Sequence, residues 1–237
     1  MKIKSPVKKL KGKPIIITLP FGDKTFVNTY KALGWNLLGH NGIDMVCDYP
    51  GIKTYGIPII ASHEGQVIGT TFDNPMSRKG NGVVLASLPF IGQDGKKRMI
   101  RTIYWHLAEV NCKTGDWVVQ GQEIGTMGNT GMIASQVGSL IAPISGEDLS
   151  KPYRGTHLHF AIVPFIEENG AFKPEFPNNG YSNFIDPLNY LELDWKKTAP
   201  EIEKIPEEER LYPLEWALSI IKQRISEITE KIKSLFK

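Results

Sequence analysis

The protein has 237 residues, of which 41% are hydrophobic and 22% are charged, and its formal net charge is +3. These values exclude an intrinsically disordered chain, and the small positive charge is far below that of a nucleic-acid-binding domain. The two cysteines, Cys47 and Cys112, form no C-x-x-C motif, which excludes a thiolate zinc knuckle and a disulfide-rich scaffold. Two buried free thiols are the favoured interpretation, and a bridge requires that the fold bring them together.

The N-terminal segment, residues 1–38, begins with a basic stretch and continues with a short apolar run at residues 15–17. Pro20 and Gly22 interrupt this run and no small-residue cleavage site follows, so no signal peptide is predicted. No stretch is long and apolar enough to predict an integral membrane segment. We therefore expect a chain made in the cytoplasm, with residues 1–38 as an extension that packs on the following domain.

Residues 39–195 form the predicted main domain, in which short apolar segments alternate with Gly, Asp and Asn turns. This pattern is typical of antiparallel β-structure, and residues 93–96 are predicted to form a hairpin turn. The expected fold class is therefore mainly β, an antiparallel β-sheet or β-sandwich core. The predicted strands and strand-like units cover residues 58–61, 66–69, 82–86, 99–105, 115–119 and 121–125.

The composition changes after residue 195. Residues 196–213 are charged and contain three prolines, which predicts a linker, and residues 214–237 lack Gly and Pro, which predicts an amphipathic helix. Its apolar residues follow heptad spacing, which leaves three interpretations open: a helix docked on its own domain, a seam for homo-oligomers, or binding to a membrane surface. The seam residues are Leu214, Leu218, Ile221, Ile225, Ile228, Ile232 and Leu235.

Four of the five histidines fall in three short motifs. The fifth, His63, lies in a polar Ser-His-Glu-Gly sequence, and we predict that it is an exposed turn residue without a functional role. The three motifs are H-x-G-x-D at residues 40–44, Y-W-H-L at residues 104–107 and H-x-H at residues 157–159.

Side chains two residues apart in a strand point to the same face, so His157 and His159 are predicted to project side by side. Three interpretations of such a pair stay open: both rings bind one metal ion, one ring binds the metal while the other faces substrate, or both are ordinary surface or hydrogen-bonded histidines. His40 and Asp44 add a ring nitrogen and a carboxylate oxygen from a turn in which Gly42 relaxes the backbone. A His/His/Asp set leaves the fourth position of tetrahedral zinc to a water whose pKa falls to about 7, which is typical of a catalytic site.

Together the motifs resemble those of the lysostaphin-type (LytM-like) zinc metallopeptidases of bacterial cell-wall turnover. The resemblance runs from about residue 40 to residue 191, roughly two-thirds of the chain. Besides the three histidine motifs, it rests on G-D-x-V-x-x-G-Q-x-I-G at residues 115–125, G-N-T-G at residues 128–131 and I-D-P-L-N-Y-L at residues 185–191.

This resemblance implies one Zn²⁺ per chain, with His40, Asp44 and His159 as its ligands. It also implies catalytic roles for His106 and His157, which would orient or deprotonate the zinc-bound water and steady the transition state. The implied substrates are stem peptides and cross-bridges of peptidoglycan, often at bonds that involve glycine or a D-amino acid.

The sequence departs from the family pattern in two places. Residues 132–154 form a much longer insert than the family usually has before its H-x-H motif, and we expect such a loop to shape or cover the substrate groove. Ala161 stands where the family often has an acidic residue, which affects the expected local packing more than the expected activity.

The main alternative is a catalytically silent relative that binds cell wall or a partner. A biotin- or lipoyl-carrier domain also has turns like those at residues 115–122, but it requires a lysine at a hairpin tip and explains none of the histidines. Zinc carboxypeptidases of wall peptides usually place the first His and Asp further apart. For a wall-cutting enzyme without a signal peptide, we expect phage-type or prophage-type release, or export that needs no N-terminal signal.

Overall fold

The computed structural model of the chain describes residues 1–8, 14–47, 54–72, 80–131, 133–134, 140–141 and 155–192. The predicted linker at residues 196–213 and the predicted helix at residues 214–237 lie outside the described residues. Self-association through that helix and the domain boundaries therefore stay predictions. Most of the insert at residues 132–154 also lies outside the described part of the chain.

The described residues form a mainly β fold with one short α-helix, α1 (Val27–Ala32), and one 3-10 turn at Pro187–Asn189. The strands are β1 (Ile3–Lys4), β2 (Ile15–Leu19), β3 (Ile43–Cys47), β4 (Pro58–Ile60), β5 (Gly65–Thr71), β6 (Asn81–Ser87), β7 (Phe90–Ile91), β8 (Lys97–Val110), β9 (Trp117–Val118), β10 (Glu123–Met127), β11 (Ile133–Ala134), β12 (Leu140–Ile141), β13 (Leu158–Glu168), β14 (Ala171–Pro174) and β15 (Leu191–Glu192).

One sheet of eleven strands organises the molecule. Its main path runs β2-β3-β13-β8-β6-β5-β9, and β4, β7, β10 and β14 pair at its sides. The pairings in this sheet are antiparallel. The prediction of a mainly antiparallel β fold is therefore confirmed. A separate parallel pair joins β1 to β15, so the start of the chain lies beside the end of the described domain.

The central strands are buried on both faces because each face carries its own apolar cluster. Leu158 and Phe160 of β13 point into the larger cluster, where the Phe160 ring packs 5.3 Å from the ring of Tyr104. Ala161 and Val163, which alternate with them, belong to a second cluster on the opposite face. His159 has the same parity as these two residues, so it lies at the end of the second face.

The predicted strands at residues 58–61, 66–69, 82–86 and 99–105 are present as β4, β5, β6 and β8, with shifted ends. The predicted turn at residues 93–96 joins β7 to β8, and Gly95 has the left-handed φ of 75° that this turn requires. The largest difference is β8, which continues beyond Trp105 to Val110. Both cysteines are free thiols, with Cys47 buried and Cys112 half-buried.

The prediction that His63 is an exposed turn residue is wrong. Its side chain is buried, with Nε2 2.9 Å from Thr102 Oγ1 and Nδ1 2.7 Å from the carbonyl oxygen of Glu64. The Thr102 hydroxyl in turn donates to the Tyr104 hydroxyl over 3.1 Å. Polar residues in a sequence are buried when the core supplies hydrogen-bond partners for them. Here the imidazole of His63 is part of a small buried hydrogen-bond network.

No helix among the described residues has the length and apolar character needed to cross a membrane.

Candidate metal centre

Cross-strand register brings three side chains of the site into one row. Asp44 of β3 lies opposite His159 of β13, and His159 lies opposite Trp105 of β8. Directly opposite residues of an antiparallel pair have neighbouring side chains on the same face. The row therefore places a carboxylate, an imidazole and an indole side by side, at the end of the second apolar face.

His40, Asp44 and His159 converge on one point. His40 Nε2 lies 3.2 Å from Asp44 Oδ1 and 3.0 Å from His159 Nδ1, and His159 Nδ1 lies 3.0 Å from the same Asp44 oxygen. Each of the three atoms offers a lone pair or a negative charge, so only a proton or a cation between them holds them this close. This is the one group of its kind among the described residues that could hold a metal ion.

The residues upstream of His40 fix the position of its ring. The His40 N–H donates to the carbonyl oxygen of Asp23, and the Gly22 N–H donates to the carbonyl oxygen of His40, both over 2.8 Å. His40 Nδ1 donates to the carbonyl oxygen of Pro20 over 3.3 Å, because a carbonyl can only accept. This contact leaves Nε2 to face Asp44 and His159. A backbone carbonyl that accepts from the other ring nitrogen is a common partner of a metal-binding histidine.

The ring of His159 is confined on two sides. The indole of Trp105 stacks on it with centroids 5.0 Å apart and planes 14° from parallel. A Cβ atom at Gly42 would lie 2.7 Å from both Cε1 and Nε2 of this ring. The glycine of the H-x-G-x-D motif is therefore required by the close approach of the ring, and no left-handed φ is involved, which corrects the prediction that Gly42 relaxes the backbone.

The charges of the three side chains are strongly coupled. Burial by itself raises the pKa of Asp44, but the neighbouring His40 and His157 and hydrogen bonds from His159 and His40 hold that pKa well below its usual range. Burial also lowers the pKa of His40, yet the Asp44 carboxylate outweighs it and the pKa of His40 lies above its ordinary value. For His159, burial prevails and lowers the pKa. The group therefore combines an ionised carboxylate with two ring nitrogens, one of which readily holds a proton.

The donor set fits a zinc ion. Ligand atoms about 2.0–2.1 Å from a tetrahedral zinc ion lie about 3.3 Å from one another, and the three observed separations come close to that value. Two imidazoles and one carboxylate are ligands that zinc accepts, and three protein ligands leave one position open. Within the described residues, the buried Nε2 of His159 has no hydrogen-bond partner. Nδ1 is therefore the nitrogen of this ring that faces His40 and Asp44.

A bulge in β8 turns His106 toward the same site. Asn81 of β6 lies opposite Leu107, whereas the next residue, Gly82, lies opposite Trp105, so His106 is an extra residue in the ladder. His106 has a left-handed φ of 64°, which is uncommon for a residue other than glycine. Bulges re-aim side chains next to active sites. Because of the bulge, the side chains of Trp105 and His106 both point away from the larger apolar cluster, and the side chain of Leu107 points into it.

The rings of His106 and His157 lie side by side near the three converging groups. Their centroids are 4.7 Å apart, and His157 Nε2 is 3.7 Å from Asp44 Oδ2. His157 precedes β13, and its Nδ1 donates to the carbonyl oxygen of Gly155 over 2.7 Å. Burial lowers the pKa of His106 to about 3, with added effects of His157 and His159, so its imidazole is neutral at neutral pH.

The structure thus brings together all five side chains that the sequence singled out, and it leaves His63 in the core. Sequence reasoning missed three further contributors: the carbonyl oxygen of Pro20, the indole of Trp105 and Thr130, whose carbonyl oxygen accepts from His106 Nδ1 over 2.7 Å. The positions of Trp105 beside His106 and of Thr130 within the G-N-T-G motif were signals that such roles exist.

The antiparallel β-sheet thus carries a His/Asp/His group that could hold a metal ion, with two further histidines beside it. The family model of peptidase family M23 matches residues 38–173, which is more than half of the chain. The chain belongs to peptidase family M23.

The curated relative ShyA, a peptidoglycan DD-endopeptidase of Vibrio cholerae, is 28% identical over 125 residues. The match covers 50% of this chain and 24% of ShyA, so the chain spans about a quarter of the length of that relative.

Solved structures with similarity include the catalytic domain of lysostaphin from Staphylococcus simulans, at 24% identity and a TM-score of 0.36, covering 64% of this chain and 78% of that one. Csd3 of Helicobacter pylori is also similar, at 19% identity and a TM-score of 0.42, covering 98% of this chain and 42% of that one.

Proposed function

We propose that this protein is a zinc-dependent endopeptidase that hydrolyses peptide bonds in the stem peptides or cross-bridges of peptidoglycan. The observation that carries the proposal is the convergence of His40 Nε2, Asp44 Oδ1 and His159 Nδ1 beside the paired rings of His106 and His157. Membership of peptidase family M23 and the described activity of ShyA support the same conclusion. The site of action that follows is the cell wall.

In this proposal His40, Asp44 and His159 hold one Zn²⁺. When bound, the ion supplies Lewis acidity, which polarises a carbonyl group and lowers the pKa of water. The carbonyl oxygen of Pro20 keeps Nε2 of His40 available, and the stack of Trp105 on His159 orients the second ring. A proton on His40 occupies the same space as a metal ion, so protonation and metal binding compete.

His106 and His157 are assigned the proton transfers. The bond from His106 Nδ1 to the carbonyl oxygen of Thr130 fixes the tautomer and leaves Nε2 as an acceptor for the attacking water. The side chain of His157 is more exposed than that of His106. The lowered pKa of His106 suits it to the role of proton acceptor, and the donor role toward the leaving amine or the oxyanion is assigned to His157.

The test is product analysis by mass spectrometry after the zinc-loaded protein is incubated with peptidoglycan sacculi of several chemotypes. We expect new peptide termini that name the bond, that disappear on chelation and return with zinc, and that are absent with Asp44→Ala. Cleavage that survives a strong chelator would contradict the metal mechanism. If zinc binds but no wall is cut, the result favours the alternative function, a catalytically silent protein that binds cell wall or has a regulatory role.

A further inference from the structure

The G-N-T-G motif at residues 128–131 contacts both histidines that we assign to proton transfer. The carbonyl oxygen of Gly128 accepts a hydrogen bond from the His157 N–H over 3.1 Å, and the carbonyl oxygen of Thr130 accepts from His106 Nδ1 over 2.7 Å. Gly128 approaches β8 so closely that a Cβ atom there would lie 2.3 Å from the nitrogen of Ala108. The motif therefore packs directly against the bulged part of β8.

The side chain of Thr130 fills the gap that this bulge opens. Its hydroxyl accepts from the Asn81 N–H over 2.9 Å and donates to the carbonyl oxygen of Leu107 over 2.7 Å. Asn81 and Leu107 are opposite residues on β6 and β8. The hydroxyl thus links a backbone donor of β6 to a backbone acceptor of β8, at the pair of residues next to the extra residue His106.

The same residue determines the tautomer of His106. A carbonyl oxygen accepts only, so the contact of His106 Nδ1 with the carbonyl oxygen of Thr130 requires a proton on Nδ1, which leaves the lone pair on Nε2. Thr130 is buried, as is His106, so solvent does not readily replace either contact.

Space for Thr130 is provided by Gly80. A Cβ atom at Gly80 would lie 2.4–2.5 Å from the carbonyl carbon, the carbonyl oxygen and Oγ1 of Thr130, and Gly80 has a left-handed φ of 64°. The glycine immediately before β6, the hydroxyl of Thr130 and the bulge at His106 are thus one packed arrangement.

We propose that Thr130 is a positioning residue for His106: its hydroxyl holds the bulge open and its carbonyl oxygen fixes the ring and its tautomer. This inference rests on the proposed function in naming His106 as a group that acts on the attacking water. Thr130 itself touches neither substrate nor metal ligands in this scheme. It acts through His106.

The experiment compares three variants. Thr130→Val keeps the shape and removes the hydroxyl, and Thr130→Ser keeps the hydroxyl. Thr102→Val is the matched control, because it removes another buried hydroxyl from a residue of β8 that is bonded to His63 and Tyr104, away from the site. Each variant is examined for zinc content, thermal unfolding, cleavage kinetics at a temperature where it is folded, and the ring N–H resonance of His106 in ¹⁵N-labelled protein.

We expect Thr130→Val to lower kcat about 10- to 100-fold with zinc retained and KM little changed, because a small misplacement of a catalytic group can cost about 10²-fold in rate. The protected His106 Nδ1–H resonance, identified by its absence in His106→Ala, should weaken or exchange rapidly with water. Thr130→Ser should restore most of both properties. Thr102→Val should lower the unfolding temperature while the His106 resonance and kcat stay close to those of the unchanged protein.

A double-variant cycle separates positioning from a general loss of structure. In a His106→Ala background, Thr130→Val should cause no further loss of kcat, because its effect passes through the ring that is already absent. Equal losses with and without His106, or a His106 resonance that Thr130→Val leaves unchanged, would overturn the inference. The resonance is read without substrate, so it decides the role of Thr130 even if no peptidoglycan is cleaved and the proposed function fails.

Discussion

The three side chains of the candidate metal centre and the two neighbouring histidines are held by different kinds of backbone. Asp44 and His159 lie opposite each other in a regular antiparallel ladder, and His40 is tied to residues 22–23 by two backbone hydrogen bonds. His106 instead occupies a bulge with φ of 64°, and His157 stands before β13 begins. The first region uses ordinary sheet spacing, whereas the second uses irregular backbone.

This contrast has a simple physical origin. Opposite residues in an antiparallel pair already have side chains about 4.5–5.5 Å apart at Cβ, which suits two ligands of one ion. Trp105 already occupies the site-facing position of β8, so the next residue, His106, can face the same site only as an extra residue of the ladder. We therefore expect substitutions in the two regions to have separable effects on metal binding and on catalysis.

The largest expected effect divides four of the five residues by the zinc content of their variants. Asp44→Ala or His159→Ala should lose both zinc and activity, because two of three ligands cannot hold the ion tightly. His106→Ala or His157→Ala should keep zinc and lose about 10²- to 10⁴-fold in rate, the usual share of a general acid or base. Elemental analysis of the purified variants, together with cleavage rates, checks this. A His106→Ala protein without zinc would show that the proposed division of roles is wrong.

The next effect tests whether the regular region depends on close packing. Gly42→Ala should lower zinc affinity about 10- to 100-fold, since its Cβ would stand 2.7 Å from the ring of His159. The same overlap, and another with the carbonyl oxygen of Phe160, should lower the free energy of unfolding by about 1–3 kcal/mol. Competition with a chelator measures the affinity, and urea unfolding measures the stability.

Gly69→Ala is the matched control for this prediction. Gly69 is also a strand glycine, but a Cβ atom there would meet only Val84, at 3.9 Å. We expect its zinc affinity to equal that of the unchanged protein. Unchanged zinc affinity in Gly42→Ala would mean that the ring of His159 has more freedom than its contacts indicate.

The smallest effect concerns His63, a buried histidine outside both regions. Burial lowers its pKa below the ordinary value of 6.5, so below that pH the unfolded chain binds a proton that the folded protein does not. The contribution of His63 to stability is therefore complete above about pH 6.5 and is lost as the pH falls toward its folded pKa. The difference between the unchanged protein and His63→Gln should change by at most about 1.4 kcal/mol per pH unit in this window.

Urea unfolding at pH 7.5, 6.5 and 5.5, with a chelator present so that loss of zinc does not contribute, measures this difference. His40 shifts in the opposite direction and is common to both proteins, so it cancels in the comparison. A difference that is independent of pH would show that His63 is protonated as easily in the folded protein as in the unfolded chain.

Much of this arrangement could be predicted from the sequence. Short β segments with glycine turns predicted the antiparallel fold, and the H-x-G-x-D and H-x-H motifs identified His40, Asp44, His157 and His159 as candidates. The signal was strong because strand alternation and motif spacing are local properties. The sequence did not predict the bulge at which His106 breaks the strand alternation, and it was wrong at His63, where a polar residue found partners in the core.

The sequence by itself therefore determined the fold class and the identity of the five candidate side chains. Only the tertiary structure decided how they meet, because the register of β3, β13, β8 and β6 joins residues that are far apart in the chain. It also assigned Gly42 to close packing against His159 and Thr130 to the bulge at His106. Such roles depend on distances between strands, and neither composition nor local periodicity contains those distances.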